Sequence, residues 1–145
     1  MKSHQILRQQ IDQQIKPLIQ AGVNIVPPGG WIRSMRLAIR MSQRQMADRM
    51  NISAAAVQQM EEREQAGTIS LKVMRSVADA MDMTFVYAFI PKEGSLEELF
   101  DNQAMTVARK RRAQFPERLI RRLADSLKEK PRSSMWEPAK PRFPL

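Results

Sequence analysis

In the stretch Gln43–Met60, QRQMADRMNISAAAVQQM, amide, guanidinium, hydroxyl and methyl side chains are spaced as contacts to a polyanion with readable edges. A glutamine can pair bidentately with adenine in the major groove, and an alanine methyl can meet the thymine methyl. Gln58, Gln59, Ala54 and Ala55 are the candidates for base contact. Arg40, Gln43, Arg44 and Ser53 are the candidates for phosphate contact, since helix starts offer free N–H groups beside such side chains.

The rest of the composition argues against catalysis. The 145 residues contain no Cys, so disulfides, thiolate metal sites and cysteine nucleophiles are excluded. The single histidine, His4, rules out a multi-histidine metal site or a Ser-His-Asp triad. No cofactor and no metal are expected. No apolar run reaches the ~18 residues of a membrane span, and the opening MKSHQILRQQIDQQ is too polar for a signal-peptide core. The expectation is a soluble, cytoplasmic, non-enzymatic protein. Its net charge of +9 favours a polyanionic or acidic partner. Residues 1–30 and 31–91 each carry +2, and 92–145 carry +5.

The elements that must position these side chains are mostly helical. Residues 3–19 form an amphipathic pattern with Leu7, Ile11, Ile15 and Leu18 on one face, and Pro17 is expected to end it early. AGVNIVPPGG at 21–30 reads as a linker. In 31–82, serines 42, 53 and 70 each stand where a helix needs an N-cap. Ile32, Met35 and Ile39 mark the inward face of the first helix there, and Leu71, Met74, Ala78 and Met81 that of the last. TFVYAFIP at 84–91 has the β-branched and aromatic content of a short strand, which would pair with Val23–Val26 or with a second copy. Two more helices follow, after Ser95 and after Pro116, and the tail from Pro131 is Pro-rich. The expected domains are 1–30, an N-terminal helix and linker; 31–91, the helical core with its strand; 92–130, basic helices; and 131–145, the tail.

Within 43–60 the spacing meets the demands of two helices crossing at a tight turn. Ala47 is small where the helices touch, Asn51 tolerates positive φ in the turn, and Val57 locks the second helix onto the first. Met46, Met50, Ile52 and Met60 take the remaining inward positions. These residues, with the run "MSQRQMA…MNIS…VQQME" and the later "GTISLKVMRSVADAMDM", resemble the Cro/repressor or XRE-type helix-turn-helix family over about residues 31–82. Asn51 departs from that family's usual glycine. The resemblance implies a mainly α fold: a Cro/repressor-like helix-turn-helix bundle, here with one short β-strand and a C-terminal helical extension. It also implies an internal ion pair between Arg36 and Glu61.

A narrower likeness runs through GWIRSMRLAIRMSQRQMA, EEREQAGTISLK, FVYAFIPKEGSLEE and PRSSMW, which are similar to the group called mobile mystery protein A. That resemblance implies an antitoxin with a Fic-domain partner. The expected function is a sequence-specific, autoregulatory DNA-binding repressor. It would act as a homodimer on a double-stranded, palindromic operator, with no membrane partner. The dimer would be built from the N-terminal helix, the 84–90 strand or the 95–115 helix. The alternatives are an inhibitor working mainly by holding its partner, or a phage-like repressor without a toxin.

The basic run Arg109–Arg112, with Arg118, Arg121 and Arg122, fits either a solvated face or a grip on DNA or an acidic protein. Leu119, Leu123, Leu127 and Trp136 offer apolar anchors for a protein partner. Ser133 and Glu137 have the Ser-x-x-x-Glu spacing of the inhibitory motif in Fic-regulating antitoxins, but Pro138 breaks its continuation.

Overall fold

The computed structural model describes residues 2–22, 24–130 and 134–136. They form seven α-helices and one 3-10 turn: α1 (Lys2–Ala21), α2 (Trp31–Ala38), α3 (Gln43–Met50), α4 (Ala54–Ala66), α5 (Leu71–Ala80), α6 (Leu96–Arg111), α7 (Glu117–Glu129) and the turn Ser134–Trp136. The chain divides into two compact units, one of residues 21–88 and one of 1–20 with 89–145. The N-terminal helix thus belongs with the C-terminal helices and not with the segment that follows it. Ser133 and Glu137 lie outside the described residues.

The unit 21–88 is built from α2 to α5 around Ile32, Met46, Ala47, Val57, Met74, Val77 and Met81. Its helices start where side chains satisfy the first free N–H groups. Ser42 and Gln45 form a reciprocal capping box on α3, and Ser53 and Ser70 accept from Ala56 and Val73 at 3.1 Å on α4 and α5. Two inward faces differ from the periodicity. Leu71 and Ile39 are nearly half exposed, while Val77 and Ala80 are buried. Leu71 is the first residue of α5 and Ile39 lies just past the end of α2, so each sits at a helix end and not among the packed turns of its helix.

The expected strand at 84–91 is absent, and no strand occurs among the described residues. Strand structure needs a hydrogen-bonded neighbour, and propensity alone does not supply one. Pro17 also fails to end α1, which runs four residues beyond it. A proline inside a helix forfeits one backbone bond and strains the preceding turn; α1 absorbs that cost. Its buried side chain is Ile15.

In the other unit, α6 and α7 form an antiparallel hairpin. Ala104, Ala108 and Ala124 are small enough to let the helices approach closely, and Met105, Ile120, Leu127 and Met135 fill the rest of the core. Gln103 Nε2 donates to the Met135 carbonyl at 2.6 Å and ties the 3-10 turn to α6. The start of α6 is capped twice. Ser95 and Glu98 form a capping box, and Asp12 of α1 accepts from the Leu96 and Glu97 N–H groups at 2.7 and 3.3 Å. Arg8 extends the same junction by pairing with Glu97 at 2.6 Å and lying 4.0 Å over the Phe100 ring.

Across the hairpin, Asp101 bonds Arg121 at 2.8 Å and Lys128 at 2.7 Å. The hydrogen bond from Arg121, then that from Lys128, holds the Asp101 carboxyl below its ordinary value of 3.8. A carboxyl lowered in the folded state stabilises above its unfolded pKa, and this is lost as pH falls through the folded one. Wild type should therefore lose stability below about pH 4 more steeply than Asp101→Asn. Urea melts of the two chains between pH 5 and pH 2.5 check this, and parallel profiles would remove Asp101 from the acid response.

Candidate nucleic-acid interface

α3 and α4 meet across Asn51, Ile52 and Ser53. Asn51 adopts the left-handed conformation (φ 56°, ψ 47°), which an Asn tolerates better than most side chains. The Ile52 N–H then reaches back to the Ala47 carbonyl at 3.0 Å, closing the end of α3. Ala47 and Val57 are buried at the crossing, so α4 is held firmly against α3 with one face outward.

That face begins at Ala55. Ala55, Gln58 and Gln59 are exposed, and Glu62 continues them at helical spacing. Ala54, the first residue of α4, is partly buried and packs against the core. Gln58 Nε2 donates to Glu62 Oε1 at 3.2 Å, an exposed intrahelical bond of a few tenths of a kcal/mol. Sequence reasoning missed Glu62, although its place seven residues after Ala55 marks it as facing the same way.

The four phosphate candidates fall in different settings. Arg44 is exposed in the first turn of α3 and has no partner among the described residues. Arg40 is exposed in a left-handed conformation (φ 59°) just before α3. The Ser53 oxygen accepts from Ala56 N–H, which leaves its hydroxyl proton available. Gln43 is half-buried, and its Nε2 donates to Glu61 Oε2 at 3.2 Å.

Glu61 sits at the centre of the unit's polar framework. Its Oε1 meets Arg36 Nε at 2.6 Å, and both side chains are nearly excluded from solvent. Arg36 Nη1 donates to the Met41 carbonyl at 3.0 Å. One turn further along α4, the Glu64 carboxylate accepts from the backbone N–H groups of Trp31 and Ile32. Gly30 precedes α2 and offers no side-chain cap, so α4 supplies one. Sequence reasoning missed this as well; the available signal was a glycine at a helix start that still needs an acceptor.

The apolar anchors expected to hold a protein partner are mostly engaged within the fold. Leu127 is buried in the α6–α7 core, Leu123 packs against that core, and Leu119 is half-buried. Two members of the i, i+4 repeat, Leu123 and Leu127, thus lie on the inward face of α7 with Ile120 and Ala124. Trp136 is exposed. The basic cluster is partly neutralised: Arg109 pairs with Glu117 at 2.6 Å and Arg121 with Asp101 at 2.8 Å. Arg118 and Arg122, one turn apart on α7, have no ion-pair partner among the described residues.

Among the described residues no group of acidic or histidine side chains is arranged to hold a metal, and no helix is long and apolar enough to cross a membrane. Searches of curated proteins and of solved structures find no match to the chain. Residues 32–87 match the family model described as helix-turn-helix. Matched span, crossing geometry and outward face coincide, so residues 32–87 are similar to helix-turn-helix domains, which bind DNA.

Proposed function

We propose that the chain is a transcriptional regulator that reads operator DNA with α4 in the major groove. The observation that carries this is the outward row Ala55, Gln58, Gln59 and Glu62 on a helix whose opposite side is locked to α3. Gln58 and Gln59 supply adenine readout, the Ala55 methyl suits thymine, and the Glu62 carboxylate can accept from cytosine N4. Arg44, Arg40, Ser53 and Gln43 flank that row and would fix the register on the phosphates. One such helix reads few base pairs, so a homodimer on two related half-sites about one DNA turn apart gives the needed specificity.

The unit of α1, α6 and α7 has its own core and is given a separate task, binding a protein partner. The likeness to mobile mystery protein A supports a Fic-domain protein as that partner and an antitoxin role for the chain. The exposed Trp136 is the apolar anchor that remains for it.

Both assignments meet in one titration of the full chain on the DNA upstream of its own coding sequence. Specific binding is expected there, and affinity no better than for unrelated DNA would reject the regulator. The double change Arg118→Ala, Arg122→Ala should leave the slope of log affinity against log salt unchanged. If the C-terminal unit grips phosphates instead, the slope should shrink by ~0.9 for each phosphate contact removed.

A further inference from the structure

Thr84–Ile90 carries no charged residue and alternates aromatic with smaller side chains, yet it has no secondary structure. Its backbone N–H and C=O groups make no hydrogen bond among the described residues. Phe85 packs against the core and stacks with Tyr87 at 5.9 Å, so these two rings already lie on one side, as alternate residues of a strand do. Beyond them, Phe89 is 95% exposed and Val86 is 77% exposed. Val86 also rims an apolar cleft of about 230 Å³ with Ile25, Trp31 and Met83. A β-prone, uncharged segment with free backbone groups and exposed rings is a template for another strand.

We infer that residues 84–90 pair with the same residues of a second copy, forming a two-stranded antiparallel ribbon with Tyr87 on the two-fold axis. The inference rests on the dimeric reading of the operator and identifies the element that makes the dimer. In this register Phe85 lies opposite the partner's Phe89, and Tyr87 opposite the partner's Tyr87. The three odd positions of each copy then form one cross-strand aromatic ladder. Charge agrees with the register. Asp82, which within its own chain meets Arg49 at 3.2 Å and stays largely exposed, precedes the strand and Lys92 follows it, so each end of the ribbon brings an acid of one copy to a base of the other. Pro91 lacks an N–H and ends the pairing on one side; Asp82, left-handed at φ 56°, ends it on the other.

The register is testable because the chain has no cysteine of its own. Opposed antiparallel residues lie ~4.5–5.5 Å apart at Cα, within disulfide reach. Full-length Tyr87→Cys should therefore cross-link to itself under mild oxidation, moving from 16.7 kDa to twice that mass. Phe89→Cys alone should not, since its two copies would be offset by ~13 Å along the ribbon. An equal mixture of Phe85→Cys and Phe89→Cys chains should form the mixed dimer. Phe89→Lys, at a side chain with no role in the fold, should weaken self-association about tenfold in sedimentation. Self-cross-linking of Phe89→Cys in place of Tyr87→Cys would overturn the register. A wild-type chain sedimenting as monomer at high micromolar concentration would overturn the ribbon. None of these measurements uses DNA, so a cross-linked dimer that ignores operator DNA would count against the regulator and leave the ribbon standing.

Discussion

Glu61→Ala should destabilise the helix-turn-helix unit by about 3–5 kcal/mol, the usual cost of removing one partner of a buried ion pair. The substitution strands the Arg36 guanidinium, which is 7% exposed and keeps only the Met41 carbonyl at 3.0 Å. It also releases Gln43, which donates to the other Glu61 oxygen. Three helices are affected together, because Arg36 belongs to α2, Gln43 to α3 and Glu61 to α4. Glu61→Gln retains an acceptor and the shape, so it should cost less. The double change Arg36→Met, Glu61→Leu should recover most of the stability, since apolar residues of similar volume often replace a buried pair without penalty. Chemical denaturation of the four chains makes the comparison. A loss under ~1 kcal/mol for Glu61→Ala would show that the pair behaves like an exposed one.

The second large effect is on binding. Gln58→Ala with Gln59→Ala should cost about 1–3 kcal/mol of specific DNA affinity, or roughly 5- to 150-fold in Kd. Stability should stay within about 0.5 kcal/mol, because both side chains are exposed on α4. Within the protein, the double change removes the exposed hydrogen bond from Gln58 to Glu62, which contributes little to the fold. Titration at fixed salt on operator and on unrelated DNA separates specific from general binding. An unchanged ratio between the two would take Gln58 and Gln59 out of sequence readout.

Gln58 and Gln59 follow from spacing within a single helix once Val57 faces inward, because 3.6 residues per turn dictate which neighbours face outward. Ala54 shows the limit of that reasoning. It lies on the expected arc but sits in the first turn, partly buried and packed against the core. The α7 leucines show the same ambiguity. An apolar stripe at i, i+4 is equally a docking surface or an inward face, and only α6 packing over it decides.

Capping serines 42, 53, 70 and 95, the left-handed Asn51 and the small Ala47 were legible in the sequence, because each acts on backbone groups within a few residues or on one helix crossing. The caps supplied from afar were not. Glu64 reaches back 32 and 33 residues to the start of α2, and Asp12 reaches 84 and 85 residues forward to the start of α6. Such contacts exist only after separate helices have packed, and no local spacing encodes them. The absent strand has the same origin. Composition at 84–90 gives the backbone its extended preference, but a strand forms only when a neighbour satisfies its N–H and C=O groups, and none of the described residues does so.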